Sequence, residues 1–334
     1  MEPVTIKTIA KQLGLSIATV SRALNDRYGI GEATRAKVKA VAESLGYQPN
    51  AYASGLKRKG SKTIAVVLPG LDNNFFTQVI SGIESVAHQK GFHVLVYLTH
   101  EDQQREKEIL QIVRNGRADG ILISVANSSG GYAHIEQLVE AGMPVVFVDR
   151  ICEHIDVPGV VTNNEESAFE ATKLLLAKGC RKIAFLGMAP QLFITGSRKN
   201  GYLKALRSVA SEQEPIIQEF EKDHEKNIRL LTDLLKHQQP DGLFAVSEKV
   251  ALLVYEVCGA LKLRIPEDIK LVGFTNMPAA AFLEPSMSAI VQPAVEMGER
   301  AAELLFKVIG KKKIFEIEKK QVLPSVLRIR RSAG

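Results

Sequence analysis

At 334 residues the chain has material for about two or three domains with buried cores, and 46% hydrophobic with 24% charged residues is the make-up of an ordinary globular protein. No stretch approaches the roughly eighteen apolar residues of a membrane helix, and three isolated cysteines, Cys152, Cys180 and Cys258, offer neither a disulfide framework nor the spacing of a zinc site. The formal net charge is +6 but unevenly placed: residues 1–62 hold seven Lys and four Arg against four acids, which leaves 32 basic and 33 acidic residues for the remainder.

The first predicted elements are two short helices. Ile6, Ile9, Ala10 and Leu13 recur at helical spacing. Gly14 then ends the helix, because a residue of positive φ is least strained as glycine, and Ser16 can cap a second helix with its hydroxyl. That second helix turns Val20, Ala23 and Leu24 inward and leaves Ile17, Ala18, Ser21 and Arg22 outward. Two helices about a glycine turn form a helix-turn-helix, whose second helix enters the DNA major groove. An ordinary helical hairpin would share the pattern, but it would not draw the chain's whole basic excess to itself, as a phosphate-binding surface must.

Residues 32–45 predict a third helix with Val38, Val41, Ala42 and Leu45 as its inner stripe, closed by Gly46 and turned away at Tyr47-Gln48-Pro49. Residues 1–48 thus read as an all-α headpiece. Residues 49–62 read as a hinge: one or two helical turns weakened by Gly55, helical when docked and unstructured when free.

From Thr63 the pattern becomes apolar strand then amphipathic helix, repeated. Strands are expected at Thr63–Pro69, His93–Leu98, Gly120–Val125 and Pro144–Val148, and a second set at Gly159–Val161, Lys182–Leu186, Gly242–Val246 and Lys270–Phe274. Continuous apolar strands separated by helices predict parallel sheets covered on both faces, hence two α/β lobes. One lobe takes about 63–160 plus 292–322 and the other about 161–291 plus 323–334, with a final helix at Glu296–Ile309 and late strands near Gln321–Leu323 and Val326–Ile329. Ligands of open α/β sheets bind at the carboxyl ends of the strands, here facing a cleft. No dinucleotide fingerprint, nucleophile elbow, phosphate loop or paired metal-binding histidines occur, so no enzyme, cofactor or metal is expected. No signal peptide is recognised, and a cytoplasmic protein without membrane contact is expected.

These residues together resemble the LacI/GalR family of transcription regulators. Residues 16–25 look like its recognition helix; Glu32-Ala33-Thr34-Arg35 and residues 45–51 with Leu56 look like its third helix and hinge. Phe75-Phe76, Asp149-Arg150, Lys182–Gly187, Ser197-Arg198, Gly201-Tyr202, Val272-Gly273-Phe274 and Glu296-Met297-Gly298 follow in the family's order. The resemblance implies a periplasmic-binding-protein-like core, a homodimer on a pseudo-palindromic DNA operator, repression as the output, and a small-molecule effector between the lobes. It implies base contacts from Ile17, Ala18 and Arg22, phosphate contacts from Thr5, Thr19, Ser21 and Asn25, and a minor-groove hinge carrying Asn50, Ala53 and the wedge Leu56.

It places the effector on Arg198, with Asp72, Asn73, Phe75, Phe76, Asp149, Arg150, Asn164, Glu248 and Thr275 at strand ends around it. Three departures stand out: Asn74 where the family often has Pro, Ser247-Glu248 where it has Asn-Asp, and Thr275-Asn276 where it has Asp-Asp. Losing the aspartates of the second and third departures, the paired acceptors for sugar hydroxyls, points to a sugar acid, a sugar phosphate or another anion on Arg198 as readily as to a neutral sugar. A nucleobase or protein co-effector, or a plain sugar-binding protein, are the other readings.

Overall fold

A computed structural model describes residues 4–24, 29–47, 60–126, 131–209, 214–310 and 319–334. Two compact units result, residues 1–61 and 62–334. The first has three helices, α1 (Ile6–Leu13), α2 (Ile17–Leu24) and α3 (Glu32–Ser44). Gly14 sits at φ +64°, and the Leu15 amide returns to Ala10 O at 3.0 Å, which closes α1 tightly enough for α2 to start at once. Ser16 Oγ accepts from Thr19 N at 3.1 Å as the cap of α2. Ile9, Ala10, Val20, Ala23, Val38 and Ala42 form the small core, the inner stripes of all three helices.

The second unit has two lobes with a six-stranded sheet each. The first runs β1 (Thr63–Leu68), α4 (Asn74–Gln89), β2 (His93–Leu98), α5 (Gln103–Ile112), β3 (Ile121–Ile123), α6 (Ala133–Glu140), β4 (Val145–Val148) and β5 (Gly159–Thr162). The chain then crosses into α7 (Asn164–Ala177), β6 (Ile183–Met188), α8 (Phe193–Ser208), β7 (Ile216–Phe220), α9 (His224–His237), β8 (Gly242–Ala245), α10 (Glu248–Leu261), β9 (Lys270–Phe274) and β10 (Ser288–Val291). It crosses back through α11 (Ala294–Ile309) to β11 (Lys320–Leu323), and a third time to β12 (Val326–Arg328). The strand orders are β11-β5-β4-β3-β1-β2 and β12-β10-β9-β8-β6-β7, parallel except for β12, which is antiparallel to β10.

Three strand expectations change. The strand at Gly159, grouped above with the second set, belongs to the first sheet, where it pairs with β4 and β11. The cause is a ten-residue return, 149–158, that joins two parallel strands without a helix and lays Cys152 and Ile155 into the core of the first lobe. Strands β7 and β10 were not foreseen: β7 is an edge strand whose middle residues Ile217, Gln218 and Glu219 are not buried, and β10 is only four residues long. In the first lobe α4 and α11 pack on one sheet face at very close range. A Cβ on Gly82 would meet Val295 O at 2.0 Å, and one on Gly298 would meet Val79 O at 2.1 Å, so both positions require glycine.

Candidate functional site

Two surfaces collect the residues singled out by the sequence, one on each unit. On the headpiece, Ile17, Ala18 and Arg22 are exposed along one side of α2, while Thr19 and Ser21 are half-buried. Ile17 is 48% exposed. Thr5 caps the other helix: its amide donates to Thr8 Oγ1 at 3.2 Å. Asn25, Asn50, Ala53 and Leu56 lie outside the described residues.

The second surface is the cleft at the carboxyl ends of the strands. Arg198, from the first half of α8, is 6% exposed and enclosed on every side. Its Nε donates to Asn164 Oδ1 at 2.8 Å, a terminal nitrogen donates to Val246 O, and the guanidinium lies 3.7 Å from the centre of the Phe274 ring. Asn164 can do this because its own amide is pinned to Thr162 O at 3.2 Å in the first crossing. Asp149 is buried at the end of β4 and interacts with Arg198 and Arg150. Burial is the main influence on both partners: it raises the Asp149 carboxyl and lowers Arg198 to about 10, and their mutual attraction opposes each shift.

Arg150 forks onto Glu101, its Nη1 at 2.8 and 3.0 Å from the two carboxylate oxygens, and reaches Val125 O at 3.3 Å. Glu248 accepts from Thr275 Oγ1 and, across the cleft, from Asn74 Nδ2 at 3.4 Å. The structure therefore gathers Asp149, Arg150, Asn164, Arg198, Glu248 and Thr275. The loop after β1 behaves differently. Asn73 Oδ1 is taken up as the cap of α4 by Phe76 N at 3.2 Å, Phe75 and Phe76 pack into the core of the first lobe, and Asp72 is exposed. The expected aromatic wall is thus largely core.

Sequence reasoning missed Glu101, Thr99, Ser124 and Gln292. His100, Glu101 and Asp149 all have positive φ, 54°, 59° and 66°, a backbone state that no local sequence signal announces and that clusters at these strand ends. Thr99 Oγ1, Ser124 Oγ and Arg150 Nε, buried at the ends of β2, β3 and β4, have no hydrogen-bond partner among the described residues. A separate cavity of about 210 Å³ lies beside the 151–157 return, lined by Phe147, Ile151, Ile155 and Lys319. Lys319 and Lys320 on its rim are paired with Asp156 and Glu153, and none of the strand-end polar groups reaches it, so it is not the cleft site.

A helix-turn-helix followed by a two-lobed α/β core with polar strand ends is the plan of a ligand-responsive DNA-binding regulator. Comparison with known proteins agrees on both parts: the family model described as periplasmic binding proteins and sugar binding domain of LacI family matches residues 61–332, and that of bacterial regulatory proteins, lacI family, matches residues 5–50. The chain belongs to the LacI family of transcription regulators. It is 30% identical to catabolite control protein A of Priestia megaterium, over 93% of this chain and 94% of that one, and 32% identical to the ribose operon repressor of Halalkalibacterium halodurans, over 96% of each. The fold is that of the lac repressor dimer bound to operator and the anti-inducer ONPF, with a TM-score of 0.84 over 99% of both chains at 22% identity. None of the described helices is long and apolar enough to cross a membrane.

Proposed function

We propose that the protein is a repressor that binds a pseudo-palindromic operator as a homodimer and releases or takes up that DNA in response to a small, neutral, polyhydroxylated effector held between its lobes. The observation that carries the effector class is the internal pairing of both cleft guanidiniums. Arg150 is on Glu101, and Arg198 is beside Asp149 and closed in by Asn164, Val246 O and Phe274. An anionic effector would find no uncompensated cation there, and it would meet Glu248 from the second lobe. This moves the reading away from sugar acids and phosphates. The Thr99 and Ser124 hydroxyls and the Arg150 Nε, without a partner among the described residues, supply what ring or chain hydroxyls bond to, and buried polar groups of this kind discriminate strongly between ligands that do and do not satisfy them. The name of the Halalkalibacterium relative, a ribose operon repressor, supports a sugar or a sugar-bearing compound.

On the DNA side, Arg22 is proposed to read a guanine edge, Ile17 and Ala18 to pack on base-edge methyl groups, Thr5, Thr19, Ser21 and Asn25 to hold phosphates, and Asn50, Ala53 and Leu56 to engage the minor groove. Calorimetric titration of the full-length protein against neutral sugars and nucleosides, and against sugar acids and sugar phosphates, tests the effector class. Binding confined to neutral compounds is expected. Binding confined to anions would overturn it.

A further inference from the structure

Three chain crossings join the lobes, at residues 162–164, 292–293 and 324–325, all on the side of the edge strands β11 and β12, so the cleft opens toward the opposite edges, β2 and β7. Between these limits the lobes bond to each other through one stripe of α4, where Asn74 and Gln78 lie a helical turn apart on the same face. Asn74 Nδ2 donates to Glu248 Oε1 at 3.4 Å. Gln78 and Asn276 bond in both directions: Asn276 Nδ2 donates to Gln78 Oε1 at 2.9 Å, and Gln78 Nε2 donates to Asn276 O at 3.2 Å. On the second lobe, Glu248 is held by Thr275 Oγ1, and Asn276 is held on the 292–293 crossing, accepting from Gln292 N at 3.1 Å and donating to Gln292 O at 2.8 Å. Asn74, Glu248, Thr275 and Asn276 all belong to the three departures from the family pattern, and their chemistry explains why they change together. A proline at 74 has no donor for Glu248, a carboxylate at 275 would repel Glu248, and a carboxylate at 276 would lack both N–H bonds given to Gln78 and Gln292 O.

We propose that Asn74, Gln78, Glu248, Thr275 and Asn276 form a latch that holds the two lobes closed on each other before any effector binds. Both halves of the latch are mounted on rigid parts. On the first lobe, α4 is locked to α11 by the close approach at Gly82 and Gly298, so a bond made at its stripe acts on the lobe as a whole. On the second lobe, Glu248 sits in the first turn of α10, and the two N–H bonds of the Asn276 amide are both in use. Opening the cleft separates Gln78 from Asn276, and with it the partly buried amides lose partners on both sides. A third contact, Lys222 Nζ donating to His100 O at 3.3 Å, lies at the mouth between the β2 and β7 edges. Side chains at the positions of the missing aspartates thus bond lobe to lobe, and closure does not wait for a ligand to bridge them. The latch concerns the ligand-free protein and stands or falls apart from the effector reading.

The test is the separation of the lobes in the full-length protein without ligand. Spin labels on Gln104→Cys and Glu225→Cys, exposed positions in the first turns of α5 and α9, span the mouth of the cleft, and the three native cysteines are buried. Dilution with unlabelled protein confines the measured distances to one chain. Pulsed dipolar spectroscopy should give a short-distance population with less than about a tenth of the chains at longer distance. Asn74→Ala/Gln78→Met removes the side-chain bonds that α4 makes to the second lobe and should raise the ratio of long to short distances about tenfold. Asn276→Asp, close to it in size, breaks the same pair from the other lobe and should act in the same direction, which keeps the test open where the double variant fails to fold. A ratio left unchanged by the folded latch variants, or longer distances already dominant with the latch intact, would overturn the proposal.

Discussion

Among the exposed side chains of α2, Ile17, Ala18 and Arg22, only Arg22 can bond a base edge through two hydrogen bonds. Arg22→Ala is expected to weaken binding to the selected operator by about 1–3 kcal/mol while changing binding to random duplex much less, as measured by fluorescence anisotropy at fixed salt. An equal loss on both DNAs would make Arg22 a phosphate contact. In the core, Arg198→Met removes one of the two guanidiniums near the buried Asp149, Arg150 being the stronger influence, and leaves Asn164 Oδ1 and Val246 O without their donor, at a cost of about 1–3 kcal/mol. Urea melts should show that loss, and the Asp149→Asn/Arg198→Met double variant should recover part of it. No recovery would mean that the two groups are not coupled. Burial pushes the thiols of Cys152, Cys180 and Cys258 up to about 11. The thiolate is then well under about 1% at pH 8, so a disulfide exchange reagent should titrate them only after unfolding. The sequence singled out Arg198, but not its setting. Asn164, Val246 and Phe274 come from a crossing and two distant strands, and the sequence could not show that all three close on the guanidinium.

At the scale of elements, the α4–α11 pair is the most demanding contact of the first lobe. Because each glycine faces the carbonyl of the other helix, Gly298→Ala is expected to cost about 1–3 kcal/mol or more by overpacking, read as a lower denaturation midpoint, whereas alanine at the exposed Glu303 of the same helix should be nearly neutral. Equal effects at both positions would show that the helices separate freely. The alternation of apolar strand and amphipathic helix was enough to read most of both sheets, because parallel strands buried on both faces leave continuous apolar runs. It failed where that rule lapses: at the half-exposed edge strand β7, at the short β10, and at the helix-free return between β4 and β5. The Gly14 turn and the Ser16 cap were legible in full, since each is a local device whose residue type is dictated by backbone geometry.

For the whole molecule, the family, the two-lobed plan and the headpiece follow from matches that span residues 5–50 and 61–332. What the sequence alone could not supply is the electrostatic balance of the cleft, because Glu101 and Arg198 reach the Asp149-Arg150 strand end only once the chain is folded. That balance is the basis for a neutral effector. The most direct test is anisotropy of a labelled operator, isolated by selection from genomic DNA, titrated with the full-length protein at fixed salt in the presence of neutral sugars, nucleosides and their phosphates. A change in operator affinity of about tenfold or more, equivalent to about 1.4 kcal/mol, is expected from a neutral compound and none from its phosphate. Operator affinity that responds only to phosphorylated or acidic compounds, or to no small molecule at all, would contradict the account.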